Sequence, residues 1–378
     1  MTRLRIATIV GTRPEIIRLA AVIQRLEDTV DHKLIHTGQN YDYELNALMF
    51  KDLGLRDPDV VFEPRKDSLG TMVGDILAET EATLRGLQPD AVLVLGDTNS
   101  CLAAIMAKRL HIPVFHMEAG NRCFDENVPE ETNRKIIDHI ADFNLAYTEH
   151  ARRNLLHEGI ESRRIYVTGS PMTEVLSQHR DAILAARPLS ELGLEAKKYV
   201  LVSAHREENV DNPARLDMLV QTLTAVADEF NFPVLVSAHP RLRKRLETSQ
   251  NKLDKRVILH KPFGFHDYNN LQLNAYCTLS DSGTISEESS ILGFPAVTIR
   301  NSIERPEAMD TGAIIVAGIE KTNVIAAVVT AVAQWSAGNQ AERPADYRVE
   351  NTSQRVVNLI VGLSRLHAEW SGVRPVQP

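Results

Sequence analysis

The sequence predicts a protein of two α/β domains, each built on a doubly wound parallel sheet. Short apolar runs alternate along the chain with segments of helical periodicity. These runs fall into two groups, and a chain of 378 residues is longer than one ordinary hydrophobic core accommodates. Because strands that alternate with helices form βαβ units, both groups are expected to form parallel sheets.

The first group of predicted strands occupies the N-terminal half of the chain. Each run is rich in β-branched residues and ends in turn residues. The predicted strands are Leu4–Val10, Lys33–His36, Ala91–Leu95, Ile112–Met117, Phe143–Tyr147 and Ile165–Val167. Helical spacing between them predicts helices over Ile16–Leu26, Met72–Leu87 and Cys101–Leu110.

The second group follows a helical and charged stretch, Thr173–Lys198, which contains the helix breakers Pro188 and Gly193. The predicted strands are Tyr199–Ser203, Pro233–Ser237, Arg256–Leu259, Tyr276–Leu279, Ala296–Ile299 and Ala313–Val316, with helices over Leu216–Phe230 and Val324–Trp335. We therefore place the first domain at residues 1–175 and the second at residues 176–351. A final amphipathic segment, Thr352–Leu366, has helical periodicity and could pack on either domain.

Composition excludes several classes of protein. The net charge of −8 provides no general attraction to nucleic acid or to an anionic membrane. Cys101, Cys123 and Cys277 are scattered and form neither a disulfide framework nor a CxxC metal pattern, as expected in a reducing cytosol. The apolar N-terminal run has the length of a strand rather than a signal peptide. We expect a cytoplasmic protein that contacts neither nucleic acid nor membrane.

Polar clusters follow several of the predicted strands. In open α/β sheets, ligands bind beyond the carboxyl ends of the strands. The clusters are Gly11-Thr12-Arg13-Pro14-Glu15, Gly96-Asp97-Thr98-Asn99, Glu118-Ala119-Gly120, His205-Arg206-Glu207-Glu208-Asn209 and Asp281-Ser282-Gly283-Thr284. If the strand ends of the two domains face each other, they form an interdomain cleft.

The stretch from His116 to Arg134 concentrates acids, with Glu118 at a predicted strand end and Glu130 at a predicted helix start. Such an arrangement is typical of an active-site rim, and Asp97, Glu118 and Glu130 are candidates for an acid/base pair. The alternative is a solvated acidic loop, because acids in the first turn of a helix also complement its dipole.

Two clusters suit phosphate groups. In the first, Arg13 adds a cation to the backbone N–H groups at the start of a predicted helix. In the second, the small residues Ser282 and Gly283 leave the backbone N–H groups of a turn open to a phosphate. Glu288, a turn further along, could hold ribose hydroxyls, whereas plain turn and N-cap chemistry explains the same residues without a ligand. The GxGxxG fingerprint is absent after the first strand, which argues against NAD.

His205 follows a predicted strand and could contact a leaving phosphate or donate a proton, or it could be structural. His111 and His116 lie five residues apart without a third clear ligand, so no metal site is predicted.

Taken together and in order, the clusters resemble the non-hydrolysing UDP-N-acetylglucosamine 2-epimerase family. The matching residues are Gly11-Thr12-Arg13-Pro14-Glu15, Gly96-Asp97-Thr98, Glu118-Ala119-Gly120, Pro129-Glu130-Glu131 with Asn133-Arg134, His205-Arg206, Asp281-Ser282-Gly283 with Glu287-Glu288, and Glu304-Arg305-Pro306-Glu307. The resemblance implies a GT-B-like pair of Rossmann-type domains, a homodimer, and UDP held in the interdomain cleft mainly by the second domain. It also implies that a C-terminal helix, residues 352–372, packs back on the first domain.

The resemblance further implies an isomerase without a cofactor that acts on a UDP-2-acetamido sugar. The C2 hydrogen of such a sugar is not next to a carbonyl, so the family expels UDP from C1 while it removes the C2 proton. The implied catalytic residues are Asp97, Glu118, Glu130 and His205. The implied substrate-binding residues are Arg13, Arg18, Arg122, Arg134, Ser282, Gly283, Glu288 and Arg305.

The sequence departs from the family pattern at three places. Arg18 stands where the family commonly has lysine, and Asn121–Asp125 differs from the pattern of the glucosamine enzymes. Asn40-Tyr41-Asp42 lacks the His-Arg typical of an allosteric substrate site. The sequences of Asn121–Phe124 and Gln39–Tyr43 are most similar to those of the capsule and O-antigen subgroup that forms UDP-N-acetyl-L-fucosamine.

We therefore predict a C2 epimerase that acts on UDP-2-acetamido-2,6-dideoxy-L-talose. The alternatives are a UDP-N-acetylglucosamine 2-epimerase that gives UDP-N-acetylmannosamine, a GT-B glycosyltransferase, a hydrolysing epimerase and an inactive sugar-nucleotide sensor.

Overall fold

The computed structural model describes residues 3–39, 43–204, 206–238, 240–248 and 253–373. The chain divides into two compact units, one of Met1–Val175 with Arg348–Pro378 and one of Leu176–Tyr347. Each unit contains a parallel sheet with its own hydrophobic core. The predicted class of two α/β units with parallel sheets is confirmed.

The first unit is built on a sheet of seven parallel strands. They are β1 (Arg5–Val10), β2 (Asp31–His36), β3 (Val60–Val61), β4 (Ala91–Leu95), β5 (Val114–Met117), β6 (Phe143–Ala146) and β7 (Ile165–Val167). Their order across the sheet is β3-β2-β1-β4-β5-β6-β7. Strand β3 is not among the predicted strands, because a two-residue edge strand has no periodicity to detect.

Helices connect these strands. They are α1 (Arg13–Thr29), α2 (Tyr43–Asp52), α3 (Leu69–Leu87), α4 (Ala104–Arg109), α5 (Pro129–Ile140), α6 (Glu149–His157) and α7 (Met172–Gln178). The helix predicted over Cys101–Leu110 is in two parts, since a 3₁₀ turn over Asn99–Ala103 precedes α4. Pro113 delays the start of β5, because proline has no N–H to donate to the neighbouring strand.

The second unit has a sheet of six parallel strands. They are β8 (Val200–Ala204), β9 (Val234–Ala238), β10 (Val257–His260), β11 (Cys277–Ser280), β12 (Ala296–Thr298) and β13 (Ile315–Val316), in the order β10-β9-β8-β11-β12-β13. The helices are α8 (Arg180–Ala185), α9 (Pro188–Leu192), α10 (Glu207–Val210), α11 (Pro213–Phe230), α12 (Pro240–Thr248), α13 (Phe265–Asn274), α14 (Ile285–Leu292), α15 (Pro306–Asp310) and α16 (Lys321–Ser336).

The chain ends in α17 (Thr352–Leu363) and α18 (His367–Trp370). The hydroxyl of Ser353, at the start of α17, donates to Glu174 Oε1 at 2.5 Å and accepts from Arg25 Nε at 2.8 Å. The Thr352 hydroxyl donates to the carbonyl of Thr168 at 3.2 Å. These bonds attach α17 to α1 and to the end of the first unit's sheet.

Both sheets reverse their direction of winding at one point. The reversal lies between β1 and β4 in the first unit and between β8 and β11 in the second. Ligands of doubly wound sheets bind beyond the carboxyl ends of the strands at such points. Gly11 and Gly96 follow the two strands in the first unit, and Asp281 follows β11 in the second.

Among the described helices, none combines the length and apolar character of a membrane span.

Candidate active site

Gly11 forms a close turn at the reversal point of the first sheet. A Cβ atom on Gly11 would lie 1.9 Å from Ser100 Oγ and 2.2 Å from Thr37 Oγ1. These two hydroxyls are 2.6 Å apart, and Ser100 Oγ also donates to Gln39 Oε1 at 2.8 Å. Only glycine leaves room for this contact, so the loops after β1, β2 and β4 meet here.

The Glu15 carboxylate fastens the start of α1. It accepts the N–H groups of Gly11 and Thr12 at 2.6 and 2.7 Å, and the Thr98 hydroxyl at 2.5 Å. Burial raises the pKa of Glu15 to about 7, and the three hydrogen bonds oppose that rise. Glu15 was predicted only as part of a motif, although the Thr12-x-x-Glu15 spacing is that of a capping box and identifies it. Arg13, a predicted substrate contact, is the first residue of α1.

Glu118 pairs with Arg18 across the reversal point. Arg18 Nη1 lies 2.5 Å from Glu118 Oε2, and both side chains are largely buried. Glu118 directly follows β5 and adopts a left-handed backbone conformation with φ of 64°, which is costly for a residue other than glycine. A Cβ atom on Gly96 would lie 3.5 Å from Glu118 Oε2, so this carboxylate borders the loop that carries Asp97.

Asp97 is held by Arg134 from helix α5. Arg134 Nε and Nη2 lie 2.7 and 2.6 Å from Asp97 Oδ2, and its Nη1 lies 2.7 Å from Glu131 Oε2. Asn133 Nδ2 donates to the Asp97 carbonyl at 2.8 Å. Two successive residues of α5 therefore position the side chain and the backbone of Asp97, which is the type of support that a reactive carboxylate requires.

Glu130 and Glu131 are neighbours in sequence but differ in environment. Glu131 is buried and accepts the N–H groups of Cys123 and Phe124 at 3.2 and 3.3 Å. Burial raises the pKa of Glu131, but the Arg134 guanidinium and the bonds from Cys123 outweigh it and hold the pKa below its usual range. Glu130 is half-buried in the first turn of α5. Glu131 thus fixes a loop, while Glu130 remains the candidate for proton transfer.

Arg122, another predicted substrate contact, lies inside the first unit. Its guanidinium lies 2.7 Å from Asp138 Oδ2 and 2.7 Å from Glu158 Oε2, with no exposed side-chain surface. His116 Nδ1 lies 2.9 Å from Asp138 Oδ1, and its Nε2 lies 2.9 Å from the Gly96 carbonyl. Burial raises the pKa of Asp138, but His116 and Arg122 outweigh it and lower the pKa. Sequence reasoning missed Asp138, because its partners are distant in sequence.

In the second unit, Asp281 follows β11 and is fully buried. Its Oδ2 accepts the Arg206 N–H at 3.0 Å and the Asn209 amide at 3.1 Å, so Asp281 holds the loop after β8 beside that after β11. Ser282 follows, and its Oγ lies 2.9 Å from the Thr284 Oγ1. The two loops that flank the second reversal point are thus joined by a buried carboxylate.

Gly283 lies against a buried charge network. A Cβ atom on Gly283 would be 2.6 Å from Glu304 Oε1 and 3.7 Å from Arg305 Nε. Glu304 pairs with Arg300 at 2.5 Å and with Arg206 at 3.3 Å. The structure therefore brings the predicted residues Ser282, Gly283 and Arg305 together, and a Cβ atom at position 283 would require the Glu304 carboxylate or the turn to move.

The remaining predicted residues differ in placement. Arg305 Nη2 lies 3.3 Å from Glu287 Oε2, and both side chains are buried. Glu288, in the first turn of α14, accepts the Gln272 amide at 2.6 Å. His205 lies outside the described residues, and so do Asn40, Tyr41 and Asp42, where the sequence lacks the His-Arg typical of an allosteric substrate site.

Comparison with known proteins supplies an independent assignment. Residues 24–361 match the family model described as UDP-N-acetylglucosamine 2-epimerase. A solved structure of this enzyme from Rickettsia bellii is 44% identical and has a TM-score of 0.91, with 97% of this chain and 98% of that chain covered. The structure from Methanocaldococcus jannaschii, in complex with UDP-GlcNAc and UDP, is 34% identical with a TM-score of 0.88, covering 95% and 100%.

A relative with a different named substrate is also similar over almost its whole length. The UDP-2,3-diacetamido-2,3-dideoxy-D-glucuronate 2-epimerase of Pseudomonas aeruginosa is 32% identical over 359 residues, which are 91% of this chain and 99% of that protein. The predicted membership of the family and the GT-B-like fold class are confirmed. The chain therefore belongs to the UDP-N-acetylglucosamine 2-epimerase family and is an isomerase of the non-hydrolysing 2-epimerase type.

Proposed function

We propose that the chain epimerises C2 of UDP-2-acetamido-2,6-dideoxy-L-talose and so forms UDP-N-acetyl-L-fucosamine. The observation that carries the epimerisation is the arrangement of carboxylates at the first reversal point, and the sequences of Asn121–Phe124 and Gln39–Tyr43 support this choice of sugar. Arg134 holds Asp97, Arg18 holds Glu118, and the Glu118 carboxylate borders the Asp97 loop. Two positioned carboxylates at one sheet edge are what a proton removal and a proton delivery on opposite faces of a sugar require.

The reaction we propose needs no net oxidation or reduction. A carboxylate takes the C2 proton while the bond from C1 to the UDP oxygen breaks, which leaves a 2-acetamidoglycal and UDP. A carboxylic acid then protonates C2 from the opposite face, and the UDP oxygen bonds to C1 again. We propose Asp97, Glu118 and Glu130 as the groups that exchange these protons.

Departure of UDP requires stabilisation of the diphosphate. We propose that the turn of Ser282 and Gly283, together with Arg305, holds the phosphates through backbone N–H groups and a guanidinium. Arg13 and Arg18 supply further cations at the start of α1, and Glu288 holds the ribose. We assign His205 to the leaving diphosphate oxygen. Arg122 is left out of this set, because both terminal nitrogens of its guanidinium pair with carboxylates, Nη1 with Asp138 and Nη2 with Glu158.

A second candidate substrate is UDP-N-acetylglucosamine, with UDP-N-acetylmannosamine as the product. It is favoured by the similarity to the Methanocaldococcus jannaschii enzyme, whose structure contains UDP-GlcNAc. The two substrates differ in configuration at C3 and C5, and at C6 one has a methyl group where the other has a hydroxymethyl group. We also propose that the active form is a homodimer, which sedimentation velocity would test.

Incubation with each UDP-amino sugar in heavy water, followed by NMR, tests the reaction and its substrate. The 6-deoxy-L-talose derivative should be converted with the highest kcat/KM, and the product should carry deuterium at C2. A higher kcat/KM for UDP-GlcNAc would transfer the assignment to the second candidate. Product without deuterium would contradict the elimination mechanism, and transfer of the sugar to an acceptor would indicate a glycosyltransferase.

The roles of the carboxylates are tested by Asp97→Asn, Glu118→Gln and Glu130→Gln. Each variant should lose at least about 100-fold in kcat, because each removes a proton-transfer group. Addition of glycal and UDP would show which variants still catalyse the return reaction. The control is Glu126→Gln, an exposed acid of the same loop that pairs with Lys135. Near-normal turnover in all three variants would disprove the site.

A further inference from the structure

Asn121 lies three residues after Glu118 and is almost completely buried. Its Nδ2 donates to Glu118 Oε1 at 3.2 Å. The other carboxylate oxygen, Oε2, pairs with Arg18 at 2.5 Å. The two oxygens of Glu118 therefore have different partners, a neutral amide on one and a charged guanidinium on the other.

The backbone of Asn121 is anchored independently of Glu118. Its carbonyl accepts Arg122 Nη1 at 2.8 Å, and Arg122 is fixed in turn by Asp138 and Glu158 at 2.7 Å each. The orientation of the amide follows from charge, because Oδ1 turned toward the carboxylate would place two acceptors in contact. Arg122 thus holds Asn121, and Asn121 presents a donor to Glu118.

We propose that Asn121 is a positioning residue for the reaction. It orients the Glu118 carboxylate, stabilises its ionised form, and so helps to set the pH at which Glu118 exchanges a proton with the sugar. An amide suits this role because it donates a hydrogen bond without adding charge. The inference rests on the proposed acid/base role of Glu118.

Other charged groups lie on the elements next to Glu118, and they are the same in wild type and in the variants below. Among them are Glu15 and Arg18 on α1, Asp97 after β4, His116 on β5, and Glu130, Glu131, Arg134 and Asp138 on α5. A change in the pH profile that follows substitution of Asn121 is therefore due to the amide.

The test compares Asn121→Leu and Asn121→Asp by the pH profile of kcat/KM. Loss of the donor should shift one limb of the profile to higher pH by about one unit. At a given pH on that limb, this shift changes kcat/KM about tenfold. The limb is the acidic one if Glu118 acts as base, and the basic one if it acts as acid. Asn121→Asp keeps the size of the side chain but adds a like charge, so its shift should be larger.

The matched control is Asn127→Leu, which changes an exposed asparagine of the same loop that bonds to Asp125. Both limbs of its pH profile of kcat/KM should coincide with those of wild type. Folded Asn121 variants that lose activity uniformly, with both limbs unshifted, would show a merely structural role and overturn the inference. That result, with deuterium still incorporated by wild type, would leave the proposed function intact. Absence of deuterium in the wild-type product would contradict the proposed function itself.

Discussion

Arg134 joins Asp97 to Glu131 through a single guanidinium group. Two of its nitrogens lie 2.7 and 2.6 Å from Asp97 Oδ2, and a third lies 2.7 Å from Glu131 Oε2. Glu131 in turn accepts the N–H of Cys123. One planar cation on α5 therefore connects the loop after β4 with the loop after β5, and a group with fewer fixed donors would not span both partners.

Substitution of Arg134 should affect both stability and turnover. Arg134→Leu leaves the buried Glu131 without its cation, at a cost of about 3 kcal/mol in the free energy of unfolding. Asp97 also loses its support, so kcat should fall about 100-fold. Arg134→Lys should be intermediate, because an ammonium group cannot bridge both carboxylates. Urea unfolding and steady-state kinetics measure the two effects. Lys135→Leu, at the adjacent exposed position, should change neither the free energy of unfolding nor kcat. An unchanged kcat in Arg134→Leu would contradict the role of Arg134 in positioning Asp97.

Glu15 should make stability depend on pH. Its pKa in the folded protein is about 7, above the ordinary value of 4.5, so the folded state retains a proton that the unfolded state has lost. The free energy of unfolding therefore falls as pH rises from 4.5 to 7, by about 3 kcal/mol, and levels off above that range. Urea unfolding at several pH values should show a flatter profile for Glu15→Gln. Parallel profiles for the two proteins would exclude this titration.

Gly11→Ala should destabilise the first unit. The new Cβ would meet Ser100 Oγ at 1.9 Å and Thr37 Oγ1 at 2.2 Å, so the loops must move apart. We expect a loss of about 1–3 kcal/mol, typical of overpacking, and a large loss of kcat. The control is Gly74→Ala in α3, where an added Cβ has no neighbour within 4 Å. It should be neutral or stabilise the helix, and equal thermal stability of the two variants would contradict the prediction.

Gly283→Ala should weaken UDP binding by the second unit. The added Cβ would lie 2.6 Å from Glu304 Oε1, a carboxylate that Arg300 and Arg206 also hold. Because the turn or the carboxylate beside it must shift, we expect at least about a tenfold rise in the Kd for UDP, or about 1.4 kcal/mol. Isothermal titration calorimetry measures it. Gly362→Ala, in α17 with open space around it, should bind UDP like wild type. Unchanged affinity in Gly283→Ala would remove this turn from the proposed binding site.

Much of the fold could be predicted because local patterns specify it. The first strand is predicted at Leu4–Val10 and observed at Arg5–Val10, since a buried parallel strand is a continuous apolar run. The helix predicted over Ile16–Leu26 extends over Arg13–Thr29. Its first turn carries Pro14 and Glu15, which have capping roles rather than apolar periodicity.

The sequence by itself determined the two sheets and the clusters at their strand ends, because periodicity and turn residues act over a few positions. Only the tertiary structure decided which side chains meet. Arg18 and Glu118 are 100 residues apart, and nothing local in either segment indicates that they pair. The sequence alone does not distinguish the environments of the adjacent Glu130 and Glu131. In the structure, the side chain of Glu131 points inward from the helix and pairs with Arg134. Arg122 was predicted to contact the substrate, whereas in the structure its guanidinium pairs with Asp138 and Glu158. Such pairings depend on how distant strands are ordered in a sheet, and strand order is a property of the whole fold.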